Sequence, residues 1–91
     1  MKFSIIIPIF NEKNNISLLV SKINSYLKKY KYEIIFVDDS STDGSKNILL
    51  KLNKKYKNLR VIFRKDKIRD LAKSCRDGFE ISKFDNVIVM D

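Results

Sequence analysis

Three apolar stretches of this chain each end in carboxylate or amide side chains. The stretches, with the polar residues that follow them, are residues 4–10 with Asn11 and Glu12, residues 33–37 with Asp38 and Asp39, and residues 86–90 with Asp91. Carboxylates accept hydrogen bonds from ribose hydroxyls and base N–H groups, and they also bind divalent cations. Open α/β sheets bind ligands beyond the carboxyl ends of their strands, so this repetition predicts one ligand site at a shared sheet edge.

The adjacent acids Asp38 and Asp39 are expected to have different roles. They cannot both be core residues, because an unpaired buried carboxylate is very costly. One is expected to cap the turn that follows. Asp39 is better placed to point over the sheet edge toward a base or a ribose. Turn capping alone is the alternative, since Asx turns are common.

Two further features each have a functional and a structural interpretation. Glu12 is placed either to bond a ribose or base, or to stabilise the next helix as a first-turn acid. Residues 64–69 precede a helix amino terminus and form either a diphosphate-binding loop or a solvated loop. The cations of that segment are Arg64, Lys65, Lys67 and Arg69.

The apolar spacing predicts an alternating β-α-β-α-β-α-β chain. Predicted strands cover residues 3–10, 32–37, 59–63 and 86–90, and predicted helices cover residues 14–29, 45–56 and 70–83. Short connections between such elements require right-handed crossovers and a parallel sheet. The predicted fold class is therefore α/β.

Two local expectations follow from residue type. Pro8 is expected where ladder pairing ends, because it has no N–H to donate. The third helix is expected to turn Leu71, Ala72, Cys75 and Phe79 inward. The lone cysteine is then a buried structural thiol.

Composition narrows the class of protein. The chain has 91 residues and stops at a strand end, so we expect the amino-terminal part of a longer enzyme. Its net charge is +8, but aromatic RNA-binding motifs are absent and no nucleic acid partner is expected. A single cysteine fits a reducing, cytoplasmic compartment, and the lack of histidine excludes Cys–His catalysis within the chain. The sequence shows neither a signal peptide nor an apolar run near the roughly 20 residues that span a bilayer.

Three segments, taken together, resemble the family 2 glycosyltransferases of the GT-A fold. They are residues 6–12, IIPIFNE, residues 37–44, VDDSSTDG, and residues 87–91, VIVMD. The branch concerned contains dolichol-phosphate mannosyltransferase and bacterial polyprenyl-phosphate sugar transferases. The resemblance implies a Rossmann-like nucleotide-binding half, with a mostly parallel sheet and helices on both faces. Residues 1–91 would be the donor-binding part of the catalytic domain, truncated at the strand of the DXD motif.

The resemblance also implies which residues bind the nucleotide. They are Pro8, Ile9, Phe10, Asn11, Glu12, Asp38, Asp39, Arg69 and Asp91. Asp91 would be the first acid of the DXD motif, which holds Mg²⁺ or Mn²⁺ against the donor diphosphate and neutralises charge on the leaving group. No catalytic residue is assigned within the chain. The second acid and any catalytic base would lie beyond it, so these residues alone are expected to be inactive.

The implied activity is inverting, metal-dependent transfer of a sugar from a GDP- or UDP-sugar. The acceptor would be a lipid phosphate such as a polyprenyl phosphate, or a glycan, and the enzyme would work in the cytoplasm or at the inner face of the membrane, with peripheral membrane association. The chain departs from the family at two places. Ser40 replaces a common glycine, and Asp70-Leu71 stands where Gly-Leu or Gly-Lys is common.

A receiver-type signalling domain of the flavodoxin-like fold is the alternative. In it, Asp38 and Asp39 would be the acid pair and Asp91 the phosphorylated residue. A receiver normally begins with the strand that carries the acid pair, whereas a complete strand and helix precede that pair here. The order of strands in the sheet distinguishes the two hypotheses.

Overall fold

The computed structural model describes residues 1–65 and 70–90. The predicted site residues Arg69 and Asp91 lie outside these ranges. The elements in chain order are β1 (Lys2–Ile9), α1 (Lys13–Tyr26), β2 (Lys31–Asp38), α2 (Ser45–Lys55), β3 (Leu59–Phe63), α3 (Leu71–Ile81) and β4 (Asn86–Val89). The predicted α/β class and the alternation of elements are confirmed.

The four strands form one parallel sheet with the order β3-β2-β1-β4. The central strands β1 and β2 are almost continuously apolar, and Ile5, Ile6, Ile34 and Ile35 are all fully buried. This pattern is expected for strands that are covered on both faces. All strands run in the same direction, so the sheet has one carboxyl edge, where the strands end, and one amino edge, where they begin.

The strand order contradicts the receiver alternative. In flavodoxin-like proteins the strand order 2-1-3 places the first strand directly beside the third. A receiver would therefore pair the strand of Asp38 with the strand that leads to Asp91. Here β1 lies between β2 and β4 and pairs with both.

Helices cover both faces of the sheet, as predicted. On one face, α1 and α2 pack on alternate residues of β1 and β2, with Ile7, Ile16, Phe36 and Leu49 in the main core. On the other face, α3 packs against β1 and β2 over a smaller cluster of Ile6, Ile35 and Val37. Burial of each large aliphatic side chain contributes about 1.5–3 kcal/mol. The face covered by α1 and α2 has more buried side chains and therefore contributes more to stability.

The inward face of α3 was predicted wrongly. Leu71 and Phe79 are 53% and 49% exposed, Ala72 is exposed and Cys75 is only half-buried. The side of α3 that contacts the sheet instead carries small residues.

Close packing explains this orientation of α3. Ser74 and Gly78 are its buried residues. A Cβ atom at Gly78 would lie 2.6 Å from Cγ2 of Ile6, so only glycine allows this approach to the sheet. A search for an apolar stripe overlooks an interface built from serine and glycine.

Pro8 meets its expectation on one side of β1 only. The β1–β4 register ends at Ile6 and Val89, so Pro8 lies beyond that pairing. The register with β2 continues through Pro8 to Ile9. The missing N–H is tolerated because pairing on the β4 side has already ended.

Candidate functional site

The loop after β1 and the turn after β2 are joined at the carboxyl edge. The Asp39 N–H donates to the Ile9 carbonyl at 2.8 Å. The Asn11 N–H donates to the Ser41 hydroxyl at 2.9 Å, and the Asn11 side-chain oxygen accepts the Thr42 N–H at 2.7 Å. Asn11 has a φ of 51°, a conformation that asparagine tolerates better than most residues. Two segments predicted to bind the nucleotide therefore form one structural unit.

Asp38, the last residue of β2, caps the turn as expected for one acid of the pair. It is 4% exposed, and its Oδ2 accepts the Ser41 N–H at 3.4 Å. Its Oδ1 is buried without a hydrogen-bond partner among residues 1–65 and 70–90. Such an atom carries a desolvation cost of roughly 1–3 kcal/mol.

Asp39 is also buried, which contradicts the prediction that the two acids cannot both be core residues. Its exposed fraction is 4%, its Oδ1 lies 2.5 Å from Nη1 of Arg64, and its Oδ2 accepts the Asp70 N–H at 2.8 Å. The prediction considered unpaired carboxylates, whereas this carboxylate is neutralised by a buried guanidinium. Asp39 therefore does not project over the edge as an unpaired acid.

Arg64 joins three elements at this edge. Its N–H donates to the Asp38 carbonyl at 2.9 Å, its Nη1 donates to the Asp70 carbonyl at 3.3 Å, and its Nε lies 3.4 Å from Oδ2 of Asp77. The side chain is only 3% exposed. Arg64 therefore has a structural role in the interior of the fold. Of the cations predicted for the basic loop, Lys65 is the one that the described residues show as exposed.

Asp70 accounts for one departure from the family pattern. It has extended backbone (φ −149°, ψ 103°), and its side chain accepts the Lys73 N–H at 3.1 Å. It is therefore the N-cap of α3, a position that aspartate favours. Ser40, the other departure, has a φ of 67°, which explains why glycine is common there.

Asp43 links the amino ends of α1 and α2. Its Oδ1 accepts the Ser45 hydroxyl at 2.5 Å and the Ser45 N–H at 3.0 Å, and its Oδ2 accepts the Lys13 N–H at 3.1 Å. The hydroxyl bond from Ser45, aided by the two N–H groups, lowers the pKa of Asp43. No role was predicted for Asp43 from the sequence, although an acid just before a predicted helix start is the usual signal of a cap.

A cavity of about 270 Å³ opens beside β1 at the carboxyl edge. Most of its lining is apolar, and Glu12 and Asn15 supply the polar groups, with Glu12 Oε2 accepting from Asn15 Nδ2 at 3.0 Å. The lining residues are Ile7, Pro8, Ile9, Glu12, Asn15, Ile16, Leu19 and Met90. The structure thus brings three predicted site residues into one cavity with Met90, the residue before Asp91.

The predicted acids share an edge but not a single cavity. Glu12 lines the cavity beside β1, whereas Asp39 is directed toward Arg64 and the start of α3. Phe10 and Asn11 belong to the loop after β1, and neither lines the cavity. Among the residues that the structure describes, no three acidic, cysteine or histidine side chains are grouped to hold a metal ion.

A parallel sheet with polar loops at its carboxyl edge defines a Rossmann-like α/β domain. A family model described as "Glycosyl transferase family 2" matches residues 4–91 of the chain. The chain therefore belongs to glycosyl transferase family 2.

Several relatives are similar along the whole chain. It is 40% identical to poly(ribitol-phosphate) beta-glucosyltransferase of Bacillus spizizenii, of which it covers 14%. It is 38% identical to dolichol-phosphate mannosyltransferase of Pyrococcus furiosus and 33% identical to that of Saccharomyces cerevisiae, and it covers 25% and 35% of their lengths. The chain thus spans about a third or less of these relatives.

A solved structure has the same fold. The mannosyltransferase PcManGT from Pyrobaculum calidifontis, in complex with GDP-Man and Mn²⁺, superposes with a TM-score of 0.74 at 22% identity. The match covers 89% of this chain and 24% of that one. The predicted Rossmann-like GT-A architecture is confirmed. No helix within the described ranges has both the length and the apolar character needed to cross a bilayer.

Proposed function

We propose that this chain is the donor-binding part of a glycosyltransferase and binds a nucleotide-diphospho-sugar at the carboxyl edge. The observation that carries the proposal is the cavity beside β1, where Pro8, Ile9 and Glu12 meet. Apolar walls with a few placed polar groups are typical of small-ligand sites. Membership of the family and the position of this cavity at the strand ends support the same assignment.

Residues of the cavity, together with Asp39 outside it in the turn after β2, divide the binding of the nucleoside between them. Pro8 and Ile9 supply apolar surface for a base or ribose, and Glu12 is exposed and can accept a ribose hydroxyl. Each oxygen of the Asp39 carboxylate has two lone pairs, of which the described contacts use one. Asp39 is thus able to accept a base N–H while it remains paired with Arg64.

The diphosphate is assigned to residues outside the described ranges. Arg69 would contact its oxygens, and Asp91 would be one ligand of Mg²⁺ or Mn²⁺. The described residues form no metal-binding cluster by themselves, and a hard cation needs several oxygen ligands. A bound metal ion would neutralise charge on the departing nucleotide diphosphate. The Mn²⁺ of the mannosyltransferase complex supports this cofactor class.

The reaction proposed for the whole protein is displacement at the anomeric carbon of the donor. The acceptor oxygen forms the new glycosidic bond while the bond to the nucleotide diphosphate breaks, which inverts the configuration. A glycan hydroxyl would also lose its proton, to a base outside residues 1–91, whereas an ionised lipid phosphate has no proton to lose. A polyprenyl phosphate or a glycan is the proposed acceptor, and two relatives are named for dolichol phosphate. The proposed location is the cytoplasm or the inner face of the membrane.

Calorimetric titration of the intact protein with GDP and with UDP, each with and without Mn²⁺, tests this proposal. One of the two nucleotides should bind, and Mn²⁺ should strengthen its binding. Glu12→Gln should weaken binding roughly tenfold, as expected for loss of a charge-assisted hydrogen bond. The exposed Asp85, near the amino edge, provides a matched control as Asp85→Asn.

Failure of both nucleotides to bind the folded protein would contradict the proposal. If the Glu12 and Asp85 variants weakened nucleotide binding equally, the nucleotide would not bind in the cavity beside β1. Both substitutions affect exposed side chains, so loss of folding does not obscure either result.

A further inference from the structure

The amino edge of the sheet, opposite the proposed donor site, carries a group of converging cations. Two cavities of about 190 and 380 Å³ lie at this edge and share Lys83 and Phe84 in their lining. The charged residues that line the two cavities are Lys2, Lys31, Lys57, Arg60, Lys83, Glu33 and Asp85. Five cations therefore surround two carboxylates.

The carboxylate of the smaller cavity is already neutralised. Glu33 is 4% exposed, and its Oε1 lies 2.6 Å from Nη2 of Arg60. Its Oε2 accepts the Ser4 hydroxyl at 2.6 Å and the Lys83 N–H at 2.6 Å. Burial alone raises the pKa of Glu33, but these bonds and the Arg60 charge outweigh burial and lower the pKa. The acid is thus ionised and engaged.

Three lysines remain around this cavity once Glu33 is paired with Arg60. Lys31, Lys57 and Lys83 are exposed, and none of them forms an ion pair within residues 1–65 and 70–90. Asn58 adds an amide, and one of its N–H groups is used on the Tyr32 carbonyl at 3.2 Å. Ammonium and amide donors therefore face a concave surface whose one carboxylate, Glu33, is already paired with Arg60.

Helix dipoles explain only part of this arrangement. Lys57 and Lys83 follow the carboxyl ends of α2 and α3, where cations are favoured. Lys31 is the first residue of β2, so a helix dipole does not explain its position. The dipole effect does not require the three side chains to line one cavity, and their mutual repulsion disfavours it. A bound anion removes that repulsion.

We propose that this cavity is a binding site for a phosphate group, held by Lys31, Lys57 and Lys83. Lysine ammonium groups bind phosphate as point charges, and the Asn58 amide is able to donate a further hydrogen bond. The site lies at the edge opposite the proposed donor site and does not depend on donor binding. The phosphate is either a free ion or the headgroup of an anionic lipid, since both present the same oxygens.

Two titrations of the intact protein separate these sources. Inorganic phosphate is added while amide NMR shifts are followed, and binding is measured by co-sedimentation with vesicles of phosphatidylcholine alone or mixed with phosphatidylglycerol. The site variant is Lys57→Glu/Lys83→Glu. The matched control is Lys51→Glu/Lys73→Glu, which makes the same change in net charge at exposed positions of α2 and α3.

The site variant should bind phosphate or anionic vesicles at least about tenfold more weakly, whereas the control should change less than about twofold. A saturable shift with inorganic phosphate would identify the free ion, and binding only to anionic vesicles would identify the lipid headgroup. Equal weakening in both variants would show that net charge alone is responsible. That result, or no binding of either probe, would overturn the proposal.

Discussion

Arg64 and Asp39 form an ion pair that is almost completely removed from water. Their side chains are 3% and 6% exposed. A buried pair of this kind has little net stabilising effect compared with apolar residues, but removal of one partner leaves an uncompensated buried charge. Arg64 is therefore expected to be indispensable even though it is proposed to touch no ligand.

Arg64→Met should lower the free energy of unfolding by about 3–5 kcal/mol, because Asp39 would then be buried without its counter-charge. Urea denaturation of the intact protein measures the loss. Arg76→Met, at an exposed position of α3, is the control and should change stability by less than about 0.5 kcal/mol. In the double variant Arg64→Met/Asp39→Asn, much of the loss should be recovered, and a purely additive result would contradict this account.

Glu33 gives the stability of the fold a defined pH dependence. Its pKa in the folded protein is below the ordinary value of 4.5, so its contribution is complete above that value and is lost as pH falls through the folded pKa. Denaturation midpoints measured between neutral pH and about pH 3 should fall less steeply for Glu33→Gln than for the natural chain. The exposed Glu80 is the control, as Glu80→Gln. An unchanged acid slope in the Glu33 variant would contradict the assignment.

The sequence predicted neither the burial of Asp38 and Asp39 nor the pairing of Asp39 with Arg64. The strands that lead to Asp39 and Arg64 were both predicted, and in the structure each of these two residues directly follows its strand, β2 or β3. The register aligns Asp38 with Phe63, which makes Asp39 and Arg64 the next pair. What the sequence lacked was the adjacency of β2 and β3. Without that adjacency, Arg64 was grouped with the loop cations that follow it.

At the level of elements, α3 is positioned by small residues. Gly78→Ala would normally favour a helix by about 1 kcal/mol, but here the new Cβ would lie 2.6 Å from Ile6. Overpacking should dominate and destabilise the protein by about 1–3 kcal/mol, measured by urea denaturation. The second variant Ile6→Ala provides space. Combined with Gly78→Ala, it should cost less than the sum of the two single changes, and strict additivity would disprove the contact.

The positive φ of Asn11, in the loop after β1, can be tested with two substitutions that both remove its side-chain bond to Thr42. Asn11→Ala removes the acceptor for Thr42 and also leaves a non-glycine residue at a φ of 51°. Asn11→Gly removes the same bond without the backbone strain. We expect thermal denaturation to show the alanine variant as the less stable by roughly 1 kcal/mol. Equal stability of the two variants would mean that the conformation at residue 11 stores no strain.

The helices and strands themselves were largely predictable from the spacing of apolar residues along the chain. Strands and helices differ in apolar spacing, and residues 59–63 were predicted with the bounds of β3. The face of α3 was not predictable from spacing, since its contact is made by serine and glycine. Local pattern therefore predicted which element each segment forms, and packing decided how α3 is oriented.

For the molecule as a whole, the two edges of the sheet differ in chemical character. The carboxyl edge holds Glu12, Asp38 and Asp39, and the amino edge presents Lys31, Lys57 and Lys83 around a cavity. Composition gave a net charge of +8 but not this separation, because the topology of a parallel sheet decides which residues share an edge. The separation gives each edge its own expected ligand.

Nucleotide binding at the carboxyl edge is tested most directly by amide NMR mapping of the intact protein during titration with GDP or UDP. Shifts should concentrate in the loop after β1 and the turn after β2, at residues 8–12 and 38–43. Amides around the exposed Lys51 of α2 and Arg76 of α3, which lie outside both proposed sites, should serve as an internal reference for non-specific binding. Saturable shifts at residues 8–12 and 38–43 are the predicted result. Saturable shifts at the amino edge, with residues 8–12 and 38–43 unchanged, would contradict it.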